Sequence, residues 1–434
     1  MDKSSSTTIK ARAWTIAYYA LLSRLFIWAV AVASHALVQD YDSALELILP
    51  IGTGPQRLFK SIFGVFLRWD AFYFLHIAES GYVFEQAHAF FPLLPALMRL
   101  VAGTVLYPIQ QYLTYSQTLV LAGSIVANVS FIIAAVQLYR LTNLLFGRER
   151  FAFLTALLYV LTPSGIFMSA IYTESLFSAL TFTGMILMTQ KRYFMAAIVW
   201  SISSTARSNG ILYSGFFIYE FLVRMDFNCS TMQKLWAVVK TGFLCLVTLL
   251  GFLAVQAYGF SLYCGEKRST LDPRPWCDNT PPLIYNFVQE FYWNVGFMRY
   301  YEVKQIPNFL FAAPMLTLST AGVLYYIFYD IGRVLTLGRV TSFPPRDKSN
   351  PPFMSTTTFP YIALWGLLLM INITTMHIQI ITRAFSCMPP VYWFAAHQFE
   401  GQTFGSGKDK AIVGFFVMYG LVGIVLFANF FPPA

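Results

Sequence analysis

The long uninterrupted apolar runs of this chain constrain its fold more than anything else in it. Runs long enough to cross hydrocarbon lie near 14–36, 115–139, 151–170, 173–189, 236–259, 308–331, 359–376 and 411–431. Shorter or polar-broken ones lie near 193–207, 210–223 and 388–400. A backbone inside a bilayer must satisfy its own hydrogen-bonding groups, and runs of this length do so as helices. The expected fold is an all-α polytopic membrane protein of about eleven transmembrane helices. Composition agrees, since 57% hydrophobic against 11% charged residues leaves too little polar surface to clothe a soluble globule of 434 residues.

The net charge of +9 belongs to topology rather than to nucleic acid, because the basic residues are scattered between the spans. Lys3, Lys10 and Arg12 precede an uncleaved first span from Ala13 to Leu37. Arg140, Arg148 and Arg150, then Lys191 and Arg192, Arg224 and Lys234, Arg333, Arg339, Arg346 and Lys348, and Lys408 and Lys410 fall on that same side, which reads as cytoplasmic. A linker at 332–358, rich in Pro and Ser from 342, lies there too. The opposite side holds two long loops, 37–114 and 260–307, rich in Trp, Tyr, Pro and acidic residues. Function is expected on these loops. In the first, 57–76 and 91–106 read as amphipathic helices lying in the interface. The second carries Cys264 and Cys277, spaced for a disulfide worth roughly 3 kcal/mol in an oxidising compartment, or left as two free thiols otherwise.

Polar residues stand out against this background. Asp70 follows Trp69 where the first loop enters a helix, so it either caps that helix or serves as a general base on a hydroxyl. His76 and Glu79 share a helical face and Asp40-Tyr41-Asp42 fits a DxD metal pattern, but neither has the company a metal site needs. The DxD stretch reads as a solvated helix end. Tyr172-Thr173-Glu174-Ser175 puts a carboxylate between two apolar runs, as an ordinary turn or as a group facing the loop cavity. Arg207 interrupts an apolar stretch and calls for an anionic partner, which a phosphate would supply. Between Tyr285 and Asn308, Gln289, Tyr292, Trp293, Arg299, Lys304 and Gln305 suit hydroxyl-rich rings and an anionic head group, or else form an interfacial belt. Arg383, near Tyr392 and Trp393, would complete a third wall. No P-loop, GxGxxG, GxSxG or HExxH appears, so nucleotide hydrolysis, hydride transfer and serine or zinc hydrolysis lack motif support. The Asn-x-Ser/Thr sites at Asn128, Asn228 and Asn372 fall in spans or on the cytoplasmic side and are expected to be unglycosylated.

These stretches resemble the GPI mannosyltransferase II family. The matches are RWDAFYFLHIAESGYVFEQAHAFFPLLP from Arg68, PSGIFMSAIYTESLF from Pro163, ARSNG from Ala206, RPWC from Arg274, YNFVQEFYWNVGFMRYYEVKQIPNFLFAAP from Tyr285 and QIITRAFSCMPPVYW from Gln379. The length and short loops look like a fungal member. The resemblance implies a glycosyltransferase of the GT-C type in the endoplasmic reticulum membrane, with its active site in the lumen. It implies that the second mannose passes in α1,6 linkage from dolichyl-phosphate-mannose to the one-mannose glycolipid, with inversion and without metal or other cofactor. Asp70 matches the family's loop aspartate, which implies the role of base.

On the matched stretches, Trp69, Glu79, Glu85, Gln86, Glu174, Ser175, Asn209, Gln289, Tyr292, Trp293 and Gln305 are the candidate substrate-binding residues. Arg207, Lys304, Arg383 and Arg299 are the candidate holders of the donor phosphate. The implied partners are the lipid-linked sugar donor, the glycolipid acceptor, membrane lipids and a small accessory membrane subunit. Two other readings stand beside this one: a polyprenyl or glycolipid transporter or flippase, and a GT-C transferase with a different acceptor.

Overall fold

In the computed structural model, residues 3–42, 44–49, 54–224, 230–264, 274–339, 351–400 and 407–432 are described. Arg346, Lys348 and Asn228 lie outside them, as does part of each long loop and of the 332–358 linker. Among the described residues every regular element is helical.

Among the described residues, six helices are long and apolar enough to cross a membrane: Ala11–Leu37, Tyr115–Phe146, Thr231–Tyr263, Val303–Tyr329, Thr356–Thr374 and Asp409–Ala428. The other expected spans form shorter helices of 9 to 16 residues, at Glu149–Val160, Glu174–Thr189, Tyr193–Ser204, Ser214–Arg224 and Pro389–His397. Tyr115–Phe146 is the central post, packed against the first helix and against Glu174–Thr189. Local sequence sets its limits. Thr114 and Gln117 form a reciprocal capping box at its start, and Gly147, at φ 65°, closes it in the left-handed conformation that glycine adopts without strain. Ser230 and Gln233 make the same box at the head of Thr231–Tyr263.

Basic side chains link neighbouring helices. Arg12 meets Glu149 at 2.6 Å, and Arg148 meets Glu400 at 3.8 Å. Lys240 lies over the Tyr193 ring at 5.2 Å.

Two expected elements differ. The run at 151–170 is helical only to Val160; Thr162-Pro163-Ser164-Gly165 then breaks it, because proline disfavours helix in the residue before it and lacks a donor. The non-helical stretch that follows is buried, which a membrane protein tolerates where protein groups satisfy the backbone. Arg24 of the first helix supplies such groups, donating to the Gly165 carbonyl at 2.8 Å and to Ser169 Oγ at 3.0 Å, with its guanidinium 3.6 Å from the Phe131 ring centre. Asn128 adds a bond to the Ser169 carbonyl at 3.1 Å.

The amphipathic segment 57–76 is likewise not one helix. It divides into Pro55–Phe63, a 3-10 turn to Phe66, and Ala71–Ser80, with a sharp corner at Leu67–Asp70. The second segment, 91–106, forms Leu93–Gly103.

Close packing leaves little slack between the Tyr193–Ser204 and Thr231–Tyr263 helices. Gly251 donates its N–H to Ser201 Oγ at 3.0 Å, and a Cβ at Gly251 would lie 2.0 Å from the Ser201 carbonyl oxygen. Backbone cannot step aside as a flexible side chain would. The substitution Gly251→Ala is expected to cost about 1–3 kcal/mol and to lower the melting temperature of the detergent-solubilised protein. An unchanged melting curve would refute the close approach.

Candidate active site

The corner at Leu67–Asp70 sets the site. Arg68 is fully buried and binds five ways: Nε and Nη2 donate to the Ala428 carbonyl at 3.1 and 2.9 Å, Nη1 to the Gly64 and Leu67 carbonyls at 2.5 and 3.2 Å, and Nη2 reaches Asp40 at 3.4 Å. Burial lowers its proton affinity to about 10, with Asp40 opposing the shift, so it stays charged at neutral pH. Trp69 then sits at φ 54°, a left-handed conformation that is strained for a non-glycine residue. Tyr172 clamps the far side, accepting from the Asp70 N–H at 3.1 Å and donating to the Arg68 carbonyl at 3.2 Å.

Asp70 occupies the cap position of Ala71–Ser80 but makes no side-chain capping bond. Its carboxylate turns instead to Arg383, whose Nη2 donates to Oδ2 at 3.1 Å. The same arginine donates through Nε to Glu174 Oε1 at 2.8 Å. Arg207 reaches that one oxygen through Nη1 at 2.9 Å and touches Thr173 Oγ1 at 3.4 Å. Glu174 is 1% exposed. The Arg383 guanidinium lies 4.7 Å from the centres of both the Phe167 and Tyr172 rings. Burial alone would lower its proton affinity; the carboxylates of Glu174 and Asp70 outweigh that and raise it above the usual arginine value.

A cavity of about 400 Å³ opens over this group, the size of a small-molecule site. Of the residues expected at the site it is lined by Trp69, Asp70, Arg207, Asn209, Gln289, Trp293 and Arg383. Aromatic faces wall it: Phe90 stacks on Tyr73 at 4.4 Å and Trp293 meets Phe90 edge-on at 5.9 Å. Apolar faces beside a few fixed polar groups suit a sugar ring and its hydroxyls.

The other expected residues stand elsewhere. Glu174 lies behind the two arginines rather than in the lining. Ser175 Oγ donates to the Met168 carbonyl at 2.6 Å and is fully buried. Glu85, a candidate substrate-binding residue, ties the two long loops together. It accepts from Trp276 Nε1 at 2.8 Å and from the Tyr292 hydroxyl at 2.9 Å, with Arg274 at 3.4 Å. A disulfide joins Cys264 to Cys277 beside that junction, with the Cα atoms 5.5 Å apart. Glu79 and Gln86 are half-buried outside the lining. Gln305 accepts from Asn308 at 2.6 Å. Arg299 and Lys304 are not in the cavity: they extend into the exposed surface, paired at 2.6 Å with Glu290 and Glu302. The DxD carboxylates are engaged locally, Asp40 with His35 at 2.9 Å and Asp42 with the Ala44 N–H at 2.8 Å.

Sequence reasoning missed Asn372, His377 and Pro432, which also line the cavity. An amide near the end of an apolar helix was the available signal for Asn372. Nothing local marks Pro432, brought in because the carbonyl of Ala428 is fixed by Arg68.

The profile of the family described as Mannosyltransferase (PIG-V) matches residues 13–434. The chain belongs to that family. It is 31% identical to the GPI alpha-1,6-mannosyltransferase 2 of Cricetulus griseus, over 95% of this chain and 97% of that one. It is 34% identical to the GPI mannosyltransferase 2 of Cryptococcus neoformans, over 94% and 98%, and 32% identical to that of Schizosaccharomyces pombe, over 96% and 84%. Among solved structures, the oligosaccharyltransferase of Archaeoglobus fulgidus superposes with a TM-score of 0.45 at 11% identity, covering 95% of this chain. The chain spans 55% of that protein's length. This is a mannosyltransferase, and its junction of loops carries a pH dependence.

His88, in the turn after Glu85, is buried against Tyr82 at 4.3 Å, with Tyr263 edge-on at 5.6 Å and no hydrogen bond to either ring nitrogen among the described residues. Burial pushes its imidazole from the usual 6.5 down to about 4. The unfolded chain takes that proton below about 6.5 and the folded mannosyltransferase only below about 4. This contribution to stability is therefore whole above 6.5 and is lost, up to roughly 3 kcal/mol, as pH falls toward 4. Melting curves at pH 7 and pH 4.5 should differ less for His88→Phe than for the parent chain. Equal slopes would contradict a buried neutral imidazole.

Proposed function

We propose that this mannosyltransferase is a GT-C-type enzyme that moves the second mannose, in α1,6 linkage, from dolichyl-phosphate-mannose to the one-mannose GPI precursor. The observation that carries the chemistry is a single cavity in which one carboxylate and two guanidiniums converge. The acceptor and linkage rest on the curated relatives, which bear the name GPI alpha-1,6-mannosyltransferase 2 across nearly their whole length.

The reaction needs a base for a sugar hydroxyl and positive charge for a departing phosphate. Asp70 Oδ2 is held by Arg383, while Oδ1 has no protein hydrogen bond among the described residues and is free to accept from the acceptor hydroxyl. In an in-line displacement the acceptor oxygen attacks C1 of the donor mannose and Asp70 takes its proton. The C1–O bond breaks with its electron pair going to dolichyl phosphate, and the configuration at C1 inverts. Arg383 and Arg207 face the phosphate as that charge builds. Trp69, Trp293, Asn209 and Gln289 hold the sugar rings.

The placement we propose is the endoplasmic reticulum membrane with the cavity on the luminal side. Two features support it. The Cys264–Cys277 disulfide suits an oxidising compartment, and the basic residues Arg12, Arg148 and Lys240 are not among those lining the cavity.

Asp70→Asn tests the reading. With purified protein, dolichyl-phosphate-mannose and a one-mannose acceptor, and with a small accessory subunit supplied in one arm, the parent chain should yield a two-mannose product. The variant should be slower by about 10²–10⁴-fold while remaining folded. A transporter would form no product in any arm, and a variant that turns over at the parent rate would remove Asp70 from the chemistry.

A further inference from the structure

Charges around Glu174 balance among the chain's own residues. Arg207 and Arg383 bring two positive charges, Glu174 and Asp70 two negative ones, and all four are joined through contacts of 2.8 to 3.1 Å. A donor phosphodiester adds a negative charge to this closed set. Glu174 is in no position to yield: it is buried, and its Oε1 is already shared by both guanidiniums. Asp70 is the partner that can, since its side chain is 31% exposed and it holds Arg383 through one contact at Nη2.

We propose that Arg383, anchored by Glu174, is shared between Asp70 and the donor phosphate, and that arrival of the phosphate loosens Arg383 from Asp70. The inference rests on the donor and base assigned above. While Arg383 donates to Oδ2, only the other carboxylate oxygen is open to a hydroxyl. Loosening that contact presents both oxygens of Asp70 to the acceptor hydroxyl once the donor is in place.

The exchange also follows the charge through the reaction. Before transfer, Asp70 and the phosphodiester each carry one negative charge. Afterwards Asp70 holds the acceptor's proton and is neutral, and dolichyl phosphate, having kept the electron pair of the C1–O bond, carries two. The total is unchanged and has moved from the base to the leaving group. One guanidinium facing both positions follows it by a shift of a hydrogen bond. Its Nε bond to Glu174, and the Phe167 and Tyr172 rings beneath it, hold the plane of the group while Nη2 changes partner.

The test is a double-mutant cycle read by binding of dolichyl phosphate to the full detergent-solubilised chain, which needs no turnover. Asp70→Asn removes the competitor and should tighten dolichyl phosphate by about tenfold. In an Arg383→Gln background the same change should alter affinity by less than about twofold. Unchanged or weaker binding by Asp70→Asn overturns the proposal, and so does an equal gain with and without Arg383, which would reflect plain charge repulsion. Thermal melting verifies each variant's fold, and Asp70→Ser takes the place of Asp70→Asn if the latter does not fold. If the parent chain makes no two-mannose product yet the cycle shows coupling, the exchange stands and the substrate reading falls. If product forms and the cycle shows no coupling, the exchange falls and the substrate reading stands.

Discussion

One oxygen atom, Oε1 of Glu174, organises the site. Two guanidiniums from distant parts of the chain, Arg207 and Arg383, converge on it at 2.9 and 2.8 Å, and Asp70 is oriented through the second of them. Burying a carboxylate with no partner would cost several kcal/mol, and burying either arginine alone would cost as much. Each is tolerable because the others are present. That mutual requirement fixes where the Tyr193–Ser204 helix ends, where Glu174–Thr189 begins and where the loop around Arg383 turns. Removing Glu174 would leave two like charges side by side, which is a larger disturbance than deleting an ordinary surface ion pair.

A second buried cation does the same for the backbone. Arg68 ties the corner before Asp70 to the last helix through the Ala428 carbonyl, and its guanidinium lies 4.2 Å from the Phe430 ring centre. The left-handed Trp69 is sustained by that anchorage on one side and by Tyr172 on the other. Strain of this kind persists only where surrounding contacts over-determine it, and here it sets the direction of the Asp70 carboxylate that faces the cavity. Arg24, bonded to the Gly165 carbonyl and Ser169 Oγ, plays the matching part for the buried turn at 162–173. In each case an arginine inside the protein replaces the water that irregular backbone would need.

Much of this was legible in the sequence, for physical reasons that differ by residue. Asp70, Arg207 and Arg383 stood out because charge is rare and expensive among apolar runs, and rarity made them visible. Their pairing was not visible, since no spacing rule relates positions 174, 207 and 383. Glu85, Lys304 and Arg299 look as suitable on paper. What separates them is burial and partners: Glu85 is consumed by Trp276 and Tyr292, whereas Lys304 and Arg299 are satisfied by neighbouring carboxylates at the surface. The helix expected over 57–76 failed for the same kind of reason, because its hydrophobic period runs through the corner while the bonds of Arg68 break it. The run at 151–170 carried its own warning in Pro163 and Gly165. Apolar length masks that warning, because a buried non-helical stretch is as apolar as a span.

The junction of the two long loops explains why so many of the matched polar residues lie outside the cavity. A site on loops is only as precise as the loops are rigid. Glu85 joins the first loop to the second with hydrogen bonds to Trp276 and Tyr292, and the disulfide between Cys264 and Cys277 closes the segment from which Trp276 projects. Trp293, one residue beyond Tyr292, is thereby placed against Tyr73 and Phe90 on the cavity wall. Glu85 thus acts on the sugar site at one remove, through Tyr292 and the chain that follows it. A carboxylate expected to touch the substrate instead sets the position of an aromatic face that would, and the rigidity this confers is what lets a single oxygen of Asp70 stand open toward a substrate hydroxyl.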